Sequence, residues 1–326
     1  MKMLRAFALI AILTNQFVVG AFANGEVPAT VLIVVGADGE AKYAEVFARS
    51  AQRWQEACKQ AGAQAVTIGH GLAETNSLTK LKQAIDREVK TSSSELWIVF
   101  LGHGTYDGRE AKFNLRGDDV SAADLAEWLK PLKRPLVLVN TSASSAPFLA
   151  KLSAPGRVII TATRSGSERN YAHFGEYFSE AIADPKADLD KDGQTSLLEA
   201  FLAASRRLGE FYEGEGRLTT EHALLDDNGD GLGTQADWFR GIRAVKRAKE
   251  GAAADGLRAH QIHLVRSKAE REIPPEVRAQ RDALELELAR LRDAKAAMKE
   301  DEYYAQLEVL MVRLAELYEG KPAPRN

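Results

Sequence analysis

Five short apolar runs, each followed by a stretch of helical periodicity, constrain this chain more than anything else in it. TVLIVV (30–35), AVTIG (65–69), ELWIVFLG (95–102), PLVLVN (135–140) and RVIITAT (157–163) are nearly unbroken in their apolar character. A strand with one wet face alternates apolar and polar residues. A run without alternation reads as a strand buried on both faces. Tyr43, Phe47, Ala51, Trp54 and Cys58 fall at helical spacing in the first gap, and Leu78, Leu81, Ile85 and Val89 in the second. Ser121 with Asp124 three residues on marks another helix start. Alternation of this kind predicts an α/β fold, a doubly wound and mostly parallel sheet with helices on both faces.

In such sheets, ligands gather at the carboxyl edge of the strands. Two polar clusters arrive there. Gly102-His103-Gly104 ends the third run, with glycines that permit close approach to a ligand. The fourth run passes into LVLVNTSASSAPF (136–148), which delivers Asn140, Thr141, Ser142, Ser144 and Ser145. We expect these hydroxyls to form a polar pocket beside His103.

An apolar strand ending in His-Gly, a hairpin-like DGREAKFNLRGDDV, a short helix and an apolar strand ending in small polar residues together resemble a known family. It is the caspase/legumain superfamily of cysteine peptidases, nearer its bacterial legumain-like members, over residues 29–182. The resemblance implies a caspase-like sheet, a His–Cys dyad and cleavage after a chosen side chain. His103 matches the general base, and the backbone N–H of Gly104 matches an oxyanion donor. The chain departs from the family at the nucleophile, where the pattern acidic-small-Cys-x-Ser-Gly has no cysteine. Strand length places Ser142 there; aligning Ser145-Ala146 on the Ser-Gly pair places Ala143 there instead. Cys58 precedes His103 on an apolar helix face and reads as a core residue. A hydroxyl is less acidic than a thiol, and nothing in the sequence orients His103. The expectation is a degenerate peptidase that binds a peptide or protein ligand. The alternative is an active peptidase using a His103/Ser142 dyad. Arg164 and Glu168, just past the fifth run, are candidates for lining its side-chain pocket.

Two acidic loops carry a sharper signal. DLDKDGQTSLLE (188–199) sets Asp188, Asp190, Asp192, Gly193 and Glu199 at loop positions one, three, five, six and twelve. Gln194 stands at position seven, where a backbone carbonyl serves. DDNGDGLGTQAD (226–237) repeats the spacing with Asp226, Asn228, Asp230, Gly231, Leu232 and Asp237. This is the spacing that wraps oxygens around calcium, which is the expected cofactor. Glu199 also completes a helix-capping box with Ser196. Thr195 and Gly233 stand at position eight in place of an aliphatic residue, so a standard paired EF-hand is not expected. His260 and His263, three apart without a third ligand, are expected to be solvated.

The termini complete the reading. MKMLR, AFALIAIL and Ala21-Phe22-Ala23 have the layout of an export signal, so we expect a periplasmic or secreted protein. No later apolar span follows, and no membrane association is expected after cleavage. Net charge is −3 with no basic tract, which argues against a nucleic-acid partner. A single cysteine excludes an internal disulfide framework. The expected units are a signal (1–23), the α/β domain (24–185), a helical calcium-loop region (186–245), a linker (246–272) and a C-terminal helical hairpin (273–326). Leu284, Leu288 and Leu291 form one seam of the hairpin, and Tyr303, Leu307, Leu310, Leu314 and Leu317 the other. Packing on its own chain is the expectation, with a homo-oligomer arm as the alternative.

Overall fold

The computed structural model describes residues 28–71, 74–90, 94–246 and 253–319. The signal-like stretch 1–23 lies outside them. Strand β1 (Thr30–Val35) leads into helix α1 (Ala41–Ala61), β2 (Gln64–Ile68), α2 (Ser77–Glu88) and β3 (Leu96–Leu101). A small antiparallel sheet follows, built from β4 (Gly104–Tyr106), β5 (Ala111–Phe113) and β6 (Val120–Ser121). Then come α3 (Ala122–Trp128), β7 (Leu136–Asn140), α4 (Ala146–Leu152), β8 (Arg157–Thr161), α5 (Phe174–Ala181), α6 (Leu197–Gly214) and β9 (Leu224–Asp226). A two-stranded ribbon, β10 (Phe239–Arg240) with β11 (Arg243–Ala244), precedes α7 (Leu257–Gln261), α8 (Lys268–Glu272), α9 (Pro275–Ala294) and α10 (Glu300–Tyr318).

The main sheet runs β2-β1-β3-β7-β8-β9, with the first five strands parallel and β9 antiparallel to β8. The side-chain period of two sorts each strand between two cores. Val31, Ile33, Trp97, Val99, Val137 and Val139 meet α1, α5 and α6 on one face. Leu32, Val34, Ile98, Phe100 and Leu138 meet α2, α3 and α4 on the other. All six residues of β1 are buried, which is why the run shows no alternation. Each fully buried aliphatic there contributes about 1.5–3 kcal/mol of transfer free energy. Cys58 is buried in the α1 core as expected, and burial pushes its thiol up to about 12. The expected box at Ser121 caps α3, its hydroxyl accepting from Asp124 N–H.

Strand β8 stops at Thr161, short of the expected 163. Thr161 Oγ1 donates to Thr163 O, and Thr163 N–H turns to Ser145 Oγ, so the chain leaves the ladder there. The acidic-loop region is not all helix, because its second loop starts on β9, the sheet's sixth strand. Part of the expected linker is packed, with Ala259, Ile262 and Leu264 in the core beneath α6.

Helices α9 and α10 pair as an antiparallel hairpin around Leu284, Leu288, Leu291, Tyr303 and Leu310. The hairpin is anchored through α9. Arg281 makes two 2.8 Å bonds to the Glu270 carboxylate on α8, and Arg278 donates to the carbonyls of Glu270 and Ile273. Among the described residues no helix is long and apolar enough to cross a membrane.

Candidate functional site

The polar residues at the end of β7 turn inward. Asn140, Thr141, Ser142, Ser144 and Ser145 are all buried, none more than 5% exposed. Thr141 Oγ1 donates to Phe100 O at 2.7 Å, Ser145 Oγ meets Thr163 Oγ1 at 3.2 Å, and Ser144 N–H donates to Glu168 O at 2.8 Å. Ser144 holds a φ of 54°, a left-handed conformation that lets this short turn close. The hydroxyls expected to form a polar pocket beside His103 are therefore packed within the turn. The side chains spend their hydrogen bonds on one another and on neighbouring main chain, as buried polar groups must.

Asn140 dominates this turn. Its Oδ1 accepts both Ser142 Oγ–H at 2.7 Å and Ser142 N–H at 3.1 Å, while its Nδ2 has no partner among the described residues. Ser142 faces Gly104 closely, because a Cβ on Gly104 would lie 2.5 Å from Ser142 Oγ and 2.3 Å from Ala143 O. The β4–β5 ladder bonds residue 103 to 114 and 107 to 110, which leaves Gly104 at a non-hydrogen-bonded position. Its N–H accordingly points away from β5.

His103 has the orienting partner that the sequence hid. Its Nε2 lies 3.1 Å from the carbonyl oxygen of Asp38, which can only accept, so Nε2 carries a proton. Asp38 is itself fixed by Arg116, whose NH2 group lies 2.7 Å from both carboxylate oxygens and whose Nε donates to Gly69 O. The ring packs against Tyr43, Phe47 and Tyr171, with centroids 4.7, 5.2 and 5.8 Å away. No hydrogen bond joins His103 to Ser142. The imidazole is thus oriented by a main-chain carbonyl, while the Ser142 hydroxyl is committed to Asn140. Glu168, a candidate for lining a side-chain pocket, ties its carboxylate to Arg164, the other candidate, and to His222 Nδ1 at 2.7 Å.

The open space lies next door. A groove of about 600 Å³ runs between the starts of α1 and α5 and the end of α6, walled by Tyr43, Tyr171, His173, Tyr177, Phe211 and Tyr212. Tyr43 and Tyr171 share their rings between this groove and His103. Burial and the nearby Glu176 push the Tyr171 hydroxyl well above the ordinary phenol range, so it stays a donor. The groove leaves little trace in the sequence, because its walls come from three helices and the loop before α5.

The acidic loops fold alike. In the first, Asp188 accepts from Lys191 N–H and Gly193 N–H, Asp190 from Asp192 N–H, and Asp192 from Gln194 N–H. In the second, Asp226 accepts from Gly229 N–H and Gly231 N–H, Asn228 from Asp230 N–H, and Asp230 from Leu232 N–H. Positions four and six are left-handed in both: Lys191 and Gly193, then Gly229 and Gly231. Oxygens of Asp188, Asp190 and Asp192 lie within 4.8 Å of one another. Glu199 closes the first loop. Its Oε1 accepts from Leu189 and Asp190 N–H, and its Oε2 from the Ser196 hydroxyl at position nine.

The residue that makes these contacts in the second loop is not Asp237. Asp237 is exposed at the surface, 2.5 Å from Lys246. Asp255 takes the place instead. Its Oδ1 accepts from Asp227 and Asn228 N–H at 2.9 and 3.3 Å, and its Oδ2 from the hydroxyl of Thr234, again position nine. Burial and the adjacent Asp227 and Asp226 carboxylates push Asp255 up to about 8, despite the Thr234 bond. Neither linker histidine is free in solvent. His260 Nε2 lies 2.9 Å from Asp190, and His263 is half-buried, with desolvation lowering its basicity.

No protein-family model and no curated protein sequence matches this chain. Among solved structures it is similar to the initiator caspase Dronc of Drosophila, at 15% identity over 62% of this chain and 80% of that one, with a TM-score of 0.42. It is also similar to a protein from Geobacter sulfurreducens, at 10% identity over 61% and 93%, TM-score 0.42. A third likeness is to caspase-1 from Spodoptera frugiperda, at 7% identity over 62% and 86%, TM-score 0.41. Agreement this coarse assigns no family, and the fold stands on the strand order and register described above.

Proposed function

We propose that this chain is an exported, calcium-stabilised protein of caspase-like architecture that binds peptide without cutting it. One observation carries the reading. Asn140 Oδ1 holds both the hydroxyl and the N–H of Ser142, the two groups that acyl transfer would need as nucleophile and oxyanion donor. Cys58, far up the chain and buried on α1, offers no substitute. Peptide binding is assigned to the aromatic groove beside His103. It lies at the carboxyl edge of a parallel sheet and mixes ring faces with polar groups, as ligand grooves do.

The loops fit a hard cation by the chemistry of their donors, which are oxygens throughout. Asp188, Asp190, Asp192, the Gln194 carbonyl and Glu199 would hold one calcium. Asp226, Asn228, Asp230, the Leu232 carbonyl and Asp255 would hold the other. The ions would supply structural cross-links, offsetting the repulsion among carboxylates held close together.

The oriented imidazole of His103 favours a second reading, a serine peptidase in which Ser142 swings off Asn140. A peptide library incubated with the calcium-loaded protein separates the two. The non-cutting reading expects no cleavage by the wild type. It also expects peptide retention by Ser142→Ala, and loss of that retention in Tyr171→Ala and Phe211→Ala. Cleavage that disappears in both Ser142→Ala and His103→Ala would establish the enzyme.

A further inference from the structure

We propose that α10 pairs antiparallel with the α10 of a second copy of this chain, through Tyr304, Leu307, Met311, Leu314 and Tyr318. The helix carries two overlapping seven-residue stripes. Tyr303, Leu310 and Leu317 face α9 and close the hairpin core. Tyr304, Met311 and Tyr318 follow one residue later, about 100° further round the helix. These three are 49%, 49% and 66% exposed. Leu307 and Leu314 lie between the stripes and are only partly buried.

With the tyrosines and methionine at one core position and the leucines at the other, the outer stripe has coiled-coil spacing over two heptads. Ten large hydrophobic side chains are exposed among the described residues: Leu189, Leu218, Leu232, Val245, Leu257, Tyr304, Val309, Met311, Val312 and Tyr318. The last five are on this one helix, a concentration that marks an interaction surface.

The stripe itself points to the occupant. Tyr304 and Tyr318 stand seven residues either side of Met311. An antiparallel copy therefore sets Met311 against Met311, Tyr304 against Tyr318 and Leu307 against Leu314. Such self-complementarity is what a two-fold interface requires. Charge agrees, because Glu308 on the flank faces Ala315 of the other copy and no like pair forms. An anionic lipid surface is disfavoured. Glu300, Asp301, Glu302, Glu308 and Glu316 outnumber the helix's single cation, Arg313.

The test is sedimentation of the mature full-length protein over a wide concentration range, with cross-linking. The expected result is a monomer–dimer equilibrium that Met311→Asp abolishes and Val309→Asp, on the other side of the helix, leaves in place. Under oxidant, Met311→Cys should give a disulfide-linked dimer, since Cys58 is buried and does not compete. Tyr304→Cys should cross-link to Tyr318→Cys in a mixture but not to itself. A circular-dichroism melt confirms that each variant is folded. A monomer at every concentration overturns the proposal. So does a dimer that survives Met311→Asp, or a Tyr304→Cys homodimer, which would mean parallel pairing.

Discussion

Replacing Asp255 by Asn probes the second acidic loop with almost no change in shape. The carboxylate accepts from Asp227 N–H, Asn228 N–H and the Thr234 hydroxyl, and it is 2% exposed. An amide oxygen can keep the first two bonds, but the amide nitrogen cannot accept from Thr234. That loss costs about 1 kcal/mol, against which the variant is relieved of the repulsion from Asp227 and Asp226. The informative quantity is therefore the difference between melts in calcium and in chelator. At a hundredfold excess over the dissociation constant, one site adds about 2.7 kcal/mol by mass action. In a chain of this size each kcal/mol moves the melting temperature by about 2–4 °C. Two sites should give a wild-type calcium shift of roughly 10–20 °C, and Asp255→Asn should leave about half of it. Asp237→Asn should leave all of it. Scanning calorimetry of the three proteins decides the matter. If Asp237→Asn removes half the shift and Asp255→Asn removes none, the structural equivalence of Asp255 with Glu199 has no thermodynamic meaning.

Two further outcomes are expected. Burial raises the Glu221 carboxyl above the ordinary glutamate value, even though it accepts from His173 N–H, Phe174 N–H and the Tyr212 hydroxyl. The folded state therefore holds a proton that the unfolded state has released, and this contribution is lost as pH rises through the folded value. As pH rises above the ordinary glutamate range the wild type should lose stability relative to Glu221→Gln; parallel melting profiles for the two would contradict this. For the turn after β7, Ser142→Cys should not cleave peptides on its own, because Asn140 still holds the N–H of residue 142. Ser142→Cys with Asn140→Ala should gain measurable cleavage that depends on His103, and an inactive double variant would show that Asn140 is not the block.

The sheet was legible because four of its strands, β1, β3, β7 and β8, are buried on both faces and leave no alternation; β2, read as a fifth such run, is an edge strand with only Ile68 buried. The sixth strand, Leu224–Asp226, was missed because three residues at a sheet edge carry almost no pattern. The first acidic loop was readable whole, since Asp188, Asp190, Asp192 and Glu199 lie within twelve consecutive residues. The second misled at its end. Asp237 satisfied the spacing, while the structural counterpart of Glu199 came from a distant segment through tertiary packing. One clue was present, because no helical pattern follows Gly233-Thr234 as it follows Ser196. His103 appeared to lack an orienting partner because that partner is a carbonyl, and main-chain groups leave no mark on a sequence. The Asn140–Ser142 contact belongs to a familiar class, an Asn side chain bonding two residues on. Its consequence for chemistry needed the position of Gly104 as well.

The source of Asp255 gives the two loops different dependences on chain continuity. The first is a local chelate, since one short segment brings all its donors. The second is closed by a tether, because the chain must leave the loop, form the β10–β11 ribbon and return before its last carboxylate arrives. Its affinity for an ion would therefore contain an effective-concentration factor set by that tether. A single break between Asp237 and Asp255 would turn closure of the second loop into a bimolecular event and leave the first untouched. By the same linkage, an ion bound in the second loop would resist opening of the segment that carries Ala259, Ile262 and Leu264 into the core. Calcium there would act as a clasp on the chain's return path, where an ion in the first loop would only stiffen a helix start.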